Sequence, residues 1–468
     1  MDRDQHRAVR NTPVVQGEGS PHHRLAEERA RSDVQRLRAR ARHIADDVAD
    51  RLADPAFVDR HLTATPKLEG SLLTNGAAGT ALLLAEAGHA QGAYREQTRA
   101  HLGLWAQRLR AAPARIGLFS GLAGLGFACG AASSADDDTY AHLRGQVRAA
   151  VLAATPGLST AIGRRIDGTG TALTMVDHDV VYGLTGLGVY LLAEAPDSRA
   201  LAQVTDTLIR LSATREVTGH RIPAWATRRV DDGTESGLLN LGLAHGLAGS
   251  LAFLSLALLV GAERPGQRQA VHDMAAWLLN ERRDGPDGAA WWPRTLRLDA
   301  TGAATVTDPP TQLAWCYGTL SVCTALRLAG QAGERPDWVR DAKRDLIRAF
   351  DDLSGADVTA SHLCHGWAGL LQITSRTRDG HPGDDELTGL THTLAARVLN
   401  SYDAQAPFGF RTDLGLPHGP QNEPGFLTGA AGNALALHAY GHDQLPATVW
   451  DAALLLAPPR AGGPLPSR

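Results

Sequence analysis

The sequence is short of several things. Four cysteines in 468 residues (Cys129, Cys316, Cys323, Cys364) are too few for the disulfide framework of a small secreted scaffold. Lysine occurs twice, at Lys67 and Lys343, so arginine carries nearly all the positive charge. The 46 basic and 50 acidic residues leave a net charge of −4, which offers no footprint for nucleic acid. Residues 1–45 are polar and contain no apolar core of a secretory signal, so the expected compartment is the cytoplasm. The longest uncharged apolar run, GLAGSLAFLSLALLVGA from Gly246 to Ala262, is marginal against the about 20 residues of a membrane span. It is rich in small residues and reads as a buried helix. Aromatic residues are only 5% of the chain.

What is present is a normal supply of core. Hydrophobic residues are 43% and charged residues 21%, as in soluble globular proteins. The length implies two or three domains or one large closed architecture. Glycine is unusually frequent, at 50 residues, against a usual share of roughly 7%.

Much of that glycine lies in an internal repeat. A Gly-x-x-Gly element leading into an apolar run occurs at Gly76, Gly121, Gly183, Gly246, Gly318, Gly366 and Gly429, with Ser321 replacing the second glycine of the fifth copy. Between copies lie amphipathic stretches: Leu201, Val204, Leu208 and Leu211 share one helical face, as do Val271, Met274 and Leu278. Val339, Ala342, Leu346 and Phe350 do the same, and so do Leu387, Leu390, Leu394 and Val398. An apolar helix must be buried all round and an amphipathic one must cover it. Seven such pairs predict an all-α protein, an α/α-toroid with about seven inner and seven outer helices; an open solenoid would also satisfy the pairing. The glycines are read as letting the inner helix N-termini crowd together at one end. Strand-like alternation is scarce, with one candidate hairpin at 295–308. The expected organisation is a disordered tail over 1–20, a single toroid over 21–455 and a Pro/Gly-rich tail over 456–468. The Arg-rich stretch from about 23 to 52 reads as a solvated amphipathic helix, or as a surface for a partner.

Chemistry concentrates just before the repeat glycines. Unit five reads Trp315-Cys316-Tyr317-Gly318 and unit six reads Cys364-His365-Gly366. In a ring, equivalent positions of neighbouring units face one mouth. Cys316, Cys364 and His365 are then three N/S ligands suited to zinc, with a fourth position open as in catalytic sites. Cys129 and Cys323 read as core. His245 precedes Gly246 as His365 precedes Gly366, and Asp179 lies four residues before Gly183. A His beside a metal suits acid/base work. Asp179 is either its partner or a plain helix cap.

These seven units, with the WCYG, CHG and AHG motifs, resemble the lanthionine synthetase C-like family of lanthipeptide cyclases over roughly residues 45–455. The resemblance implies an α/α-toroid with at most a small β-containing insertion, and 213–242 or 283–313 has room for it. It implies one Zn²⁺ on Cys316, Cys364 and His365, acid/base roles for His245 and Asp179, and a place for Tyr317 beside the metal. It also implies addition of precursor-peptide cysteine thiolates to dehydroalanine or dehydrobutyrine, forming thioether rings. The partners implied are a dehydrated precursor peptide with its leader and a separate dehydratase. No P-loop signature accompanies the Gly-x-x-Gly copies. One position departs from the motif: Gln312 stands four residues before Cys316, where the family commonly has Arg. A neutral donor replaces a fixed cation there, and Arg294 is the candidate substitute. Other readings are a non-catalytic zinc-containing peptide scaffold and a related zinc-thiolate transferase acting on another acceptor.

Overall fold

The computed structural model describes residues 21–459 except 62–72, 75, 77, 90–91, 111–114, 134–138, 170, 218, 232–233, 286–287, 300, 307–312, 352–357 and 414–418. The expected tail at 1–20 and the site candidate Gln312 therefore lie outside the described residues. The chain begins with α1 (Pro21–Leu52), α2 (Pro55–His61), α3 (Ala78–Gly88), α4 (Arg95–Arg110), α5 (Leu122–Ala132) and α6 (Ala141–Ile166). There follow α7 (Met175–His178), α8 (Leu184–Glu194) and α9 (Arg199–Ile209), then strands β1 (Thr214–Val217), β2 (His220–Pro223), β3 (Thr227–Asp231) and β4 (Thr234–Asn240). Helices α10 (Leu247–Leu259) and α11 (Gln267–Asn280) precede β5 (Arg283–Asp284), β6 (Ala290–Trp291), β7 (Thr295–Leu298) and β8 (Ala304–Val306). The chain finishes with α12 (Gly318–Ala332), α13 (Pro336–Arg348), α14 (Trp367–Asp379), α15 (Asp385–Asn400), α16 (Ala430–His442) and a 3-10 turn, Trp450–Leu454.

The seven helices entered through the repeat glycines are α3, α5, α8, α10, α12, α14 and α16. Each packs on the next and α16 packs on α3, so the row closes into a ring rather than an open solenoid. Their apolar composition is accounted for by burial on every side: in α10 all residues from Leu247 to Leu258 are buried. Helices α4, α6, α9, α11, α13 and α15 each cover the inner helix before them. The amphipathic faces point inward as the spacing requires, with Val204, Leu208, Val271, Met274, Leu346, Leu394 and Val398 buried.

The seventh outer helix comes from the other end of the chain. Helix α1 lies along α16, burying Ala41, Ile44, Ala45, Val48, Ala49 and Leu52. That set repeats at three and four residues, a helical stripe set among arginines. The expectation of a solvated helix is therefore corrected: this face closes the outer ring. Arg42 donates to the Gly441 carbonyl and Arg38 pairs with Asp443 at 2.8 Å, so part of the Arg cluster belongs to the same joint.

The two candidate insertion segments are not alternatives. Strands β3 and β4 come from the first and β7 and β8 from the second, and they form one antiparallel sheet in the order β3-β4-β7-β8. Asn240 opposite Thr295 and Gly237 opposite Leu298 set the central register. The expected hairpin is the β7–β8 half of this sheet.

Five of the repeat glycines serve a contact within their own unit, while the expected crowding between neighbours is seen at Gly79, where a Cβ would lie 2.1 Å from Phe426 N of unit seven. In those five units the mouth loop folds back over the first turn of its own helix. A Cβ at Gly124, Gly186, Gly249, Gly369 or Gly432 would lie 2.0–2.2 Å from the carbonyl oxygen six residues upstream. In unit five the helix starts at Gly318 itself, at φ +79°, and Ser321 Oγ accepts the Leu243 N–H of unit four at 2.7 Å.

The segment read as a tail begins inside the molecule. Leu456 and Ala457 are buried, because the apolar run 453–457 continues the buried 3-10 turn. Asp451 in that turn is fully buried and pairs with Arg376 at 2.5 Å and Gln372 at 2.6 Å. Leu454 offers its carbonyl to Trp315 Nε1–H at 2.8 Å.

A buried histidine pins α1 to unit one. His101 on α4 contacts Thr80 Oγ1 on α3 at 2.9 Å and donates through Nε2 to the Leu52 carbonyl at 2.8 Å. Burial lowers its pKa. The unfolded chain therefore binds a proton more readily, and folding loses stability as pH falls below the usual histidine range near 6.5. Chemical denaturation at pH 7 and pH 5 should show a smaller pH effect for His101→Gln than for the unaltered protein. Equal slopes would mean that His101 carries none of this linkage.

Candidate active site

The mouth of the inner ring is joined by a belt of hydrogen bonds. Phe119 N–H donates to Val181 O, Val180 to Ala244 O, Ala244 to Cys316 O, Cys316 to Cys364 O, Cys364 to Leu427 O and Leu427 to Thr74 O, at 2.8–3.3 Å. Thr74 Oγ1 returns to Phe119 O at 3.4 Å. Every accepting carbonyl sits two residues before its unit's first glycine. Cys316 and Cys364 occupy that position in adjacent units, and the residues one step later are Tyr182, His245, Tyr317 and His365 in units three to six.

This registration brings the predicted ligands together. The ligand atoms of Cys316, Cys364 and His365 lie within 4.8 Å of one another. Tetrahedral zinc bonds of about 2.0–2.3 Å would place ligand atoms within about 4 Å of one another, a small side-chain adjustment away. The donor set, two thiols and one imidazole, matches zinc. The Cys316 thiol is pulled down to about 6, chiefly by its hydrogen bond with Cys364 and further by His365, against the opposing effect of burial. Cys364 moves the other way, since it donates to Cys316 and faces that negative charge while buried. Behind them His362 is fully buried. Its Nδ1 accepts the His365 N–H at 3.5 Å, while Nε2 finds no hydrogen-bond partner among the described residues. Burial, with His365 adding to it, lowers its pKa to about 3.

One belt step away, His245 Nδ1 lies 2.7 Å from Asp179 Oδ2. The other Asp179 oxygen accepts the N–H groups of Tyr182 at 2.6 Å and Gly183 at 2.8 Å. Of the two readings of Asp179 the structure shows the His contact; its other oxygen closes the loop before α8 rather than capping the helix, whose N-cap Gly183 carries no side-chain cap bond. Asp179 is fully buried, whereas His245 keeps 23% of its side chain exposed, which leaves Nε2 as the nitrogen available to a reacting group.

Tyr317 stands between the two clusters. Its ring is 6.3 Å from that of His245, and the Arg294 guanidinium lies 5.7 Å from its centroid. Asn240 Nδ2 donates to its hydroxyl at 3.5 Å, and burial raises its pKa. The small sheet therefore forms one wall of the site, since β4 ends at Asn240 and Arg294 precedes β7. Cys129 and Cys323 are buried in the core and take no part. Sequence reasoning missed Asn240, Tyr182 and His178. Tyr182 could have been found by aligning the seven units on their first glycine, because it holds the place of His245 and Tyr317. His178 is buried beside Asp179 with neither ring nitrogen hydrogen-bonded among the described residues, and burial lowers its pKa. Nothing in its sequence context marked it.

The dual role of Asp179 generates a prediction. Asp179→Ala removes the partner of two backbone donors and one imidazole, and should cost about 1–3 kcal/mol in denaturant unfolding. Asp179→Asn can keep the loop bonds through its amide oxygen. Its NH₂ would then face His245 Nδ1 and move the imidazole proton to Nε2. Imidazole ¹⁵N NMR should report that change; an unaltered tautomer would show that the carboxylate does not set it.

Comparison with known proteins fits this architecture. The sequence model described as lanthionine synthetase C-like protein matches residues 68–455. The nisin biosynthesis protein NisC of Lactococcus lactis subsp. lactis is 25% identical over 292 residues, covering 61% of this chain and 65% of that protein's length. The solved structure of nisin cyclase superposes with a TM-score of 0.68 at 21% identity, over 83% of this chain and 93% of the other. Given the extent of the family match, the chain belongs to the lanthionine synthetase C-like family.

Proposed function

We propose that the chain is a zinc-dependent lanthipeptide cyclase. Its substrate would be a dehydrated precursor peptide, whose cysteine thiols add to dehydroalanine or dehydrobutyrine to close (methyl)lanthionine rings. The observation that carries this reading is the meeting, on one belt, of a three-ligand Cys/Cys/His cluster and an Asp–His pair. The names of NisC and nisin cyclase point the same way.

Cys316, Cys364 and His365 would hold the ion. When bound, zinc supplies a Lewis acid that lowers the pKa of a thiol entering its open position. The remaining work falls to the chain. A bond forms between the peptide's sulfur and the acceptor's β-carbon, the π pair passes to the α-carbon, and that carbon takes a proton. His245 delivers the proton from Nε2, and Asp179 orients the ring and offsets its positive charge. The thiol proton balances the one delivered, so product and substrate have equal mass. Arg294 is assigned the cationic role that Gln312 cannot fill, near the oxygen that becomes negative. The mouth holds donor and acceptor segments together, a proximity effect. The dehydro residues come from a separate dehydratase acting on the same leader-bearing precursor in the cytoplasm. Among the described residues no helix is long and apolar enough to cross a membrane.

The zinc-loaded protein should consume the free thiols of a dehydrated precursor with no change in mass, as read by thiol alkylation and mass spectrometry. His245→Ala should slow this about 10²–10⁴-fold. Thiols left free by the zinc-loaded protein would sink the cyclase reading and favour the peptide scaffold; reaction with a non-peptide acceptor alone would favour the related transferase.

Two variants check the supporting assignments. Elemental analysis should find about one zinc per chain, lost in Cys364→Ala; retention in that variant would move the metal elsewhere. Arg294→Gln should slow cyclisation by about tenfold, less than a buried oxyanion donor would because Arg294 is exposed, with Arg294→Lys retaining part of the rate. An unchanged rate in Arg294→Gln would leave the Gln312 departure uncompensated.

A further inference from the structure

Four consecutive units place a ring-bearing side chain one residue before the repeat glycine: Tyr182, His245, Tyr317 and His365. Rings of neighbouring units touch along the row, Tyr182 to His245 at 6.5 Å and near-parallel, then His245 to Tyr317 at 6.3 Å. The row has a direction. His365 at one end belongs to the candidate metal cluster, His245 is the proposed acid, and Tyr182 lies one step beyond the acid, away from the metal.

Tyr182 is also conspicuous by exposure. It and Val176 each leave 45% of their surface in solvent; Val176 lies in α7 and Tyr182 in the loop from α7 to α8. The support beneath them is rigid. Tyr182 donates its backbone N–H to buried Asp179, and Val176 sits in α7, whose first residue Met175 receives a contact from Asn240 at 3.4 Å and whose Thr174–Asp177 capping box fixes its start. Two exposed side chains carried on one pinned segment present area to a ligand with little ordering cost. On the far side of the mouth the corresponding residues are the smaller Ser120 and Thr428.

Resting on the cyclase reading above, we propose that Tyr182 and Val176 form the acceptor-side subsite, an apolar platform that seats the side chain next to the dehydro residue in the precursor peptide. The thiol end of the substrate is held near Cys316, Cys364 and His365. The acceptor's α-carbon must meet His245, so the continuing peptide passes over the next unit of the belt, where Tyr182 stands. The chemical class recognised is an apolar or aromatic residue flanking the dehydro residue, in preference to an acidic one or glycine. Tyr182 acts by positioning and transfers no proton.

The test uses two precursor peptides that differ only at the flanking residue, Leu or Asp, with unaltered protein, Tyr182→Ala, Tyr182→Phe and Val176→Asp. The unaltered protein should prefer the Leu peptide about tenfold in kcat/KM, with the difference in KM. Tyr182→Ala and Val176→Asp should erase that preference with kcat on the Asp peptide changed less than threefold, and Tyr182→Phe should restore it. No preference in the unaltered protein, a preference that survives Tyr182→Ala, or a loss in kcat alone would overturn the proposal. Tyr182→Phe behaving like Tyr182→Ala would overturn it too, assigning the effect to the hydroxyl. Should the unaltered protein cyclise neither peptide, the cyclase reading fails by itself. Fluorescence anisotropy with Cys→Ser forms of both peptides still reads the platform: about tenfold tighter Leu-peptide binding, lost in Tyr182→Ala, supports it, and equal binding overturns it.

Discussion

The hydrogen-bonded belt around the mouth is the constraint on which the rest depends. Helix packing alone fixes the inner ring loosely, because apolar side chains tolerate sliding along a helix axis at modest cost. The belt removes that freedom, since each mouth loop must offer one donor to the next unit and accept one from the last. A typical net gain is only about 1 kcal/mol per bond, but an unpaired buried amide costs more than a made bond returns. Register errors are therefore penalised at two neighbours at once. The glycines belong to this device. They bring the loops close enough that backbone groups reach the adjacent loop at every step but the one closed by the Thr74 hydroxyl.

Once the belt sets the register, chemistry follows from which residue occupies which notch. Two cysteines in the carbonyl-accepting position of adjacent units are held by a bond between their own backbones, 3.2 Å from Cys316 N to Cys364 O. Their side chains then converge without a dedicated loop. The next notch carries Tyr182, His245, Tyr317 and His365, which sets the proposed acid one unit from the candidate metal ligands. Asp179 joins the two scales. One oxygen closes the unit-three loop and the other holds His245, so the fold's own loop-closing bonds and the site's orienting bond share a carboxylate.

Much of this was legible in the sequence. The seven glycine elements and the period of the intervening apolar residues imply paired helices, and the repeat register alone places Cys316 and Cys364 at equivalent positions with His365 one residue further on. What was not legible has physical reasons. The stripe Ala41-Ile44-Ala45-Val48-Ala49-Leu52 is visible, but its partner α16 lies at the opposite end of the chain, and sequence proximity gives no hint that the ring is closed by its two ends. The four-stranded sheet is divided between segments separated by two helices, so neither half presents a sheet pattern. Asn240 and Arg294 reach Tyr317 only because those halves pair. Tyr182 resembles any surface tyrosine until the seven units are aligned on the mouth.

The C-terminal turn shows how far the site's supports extend. Trp315 precedes a candidate metal ligand and sits fully buried beneath the belt, and its indole N–H is satisfied by the Leu454 carbonyl. That carbonyl is delivered by a turn bracketed by two left-handed non-glycine residues, Val449 and Leu455, a conformation that costs free energy for a β-branched side chain. The same turn is held by a buried ion pair, Arg376 with Asp451, reinforced by Gln372. An ion pair with both partners deep in the protein contributes little net stability over an apolar replacement, but it is severely disrupted when either partner is lost. It therefore acts as a locator more than as a source of stability. It fixes where the turn sits inside the ring, the turn fixes Trp315, and Trp315 fixes the backbone from which Cys316 projects.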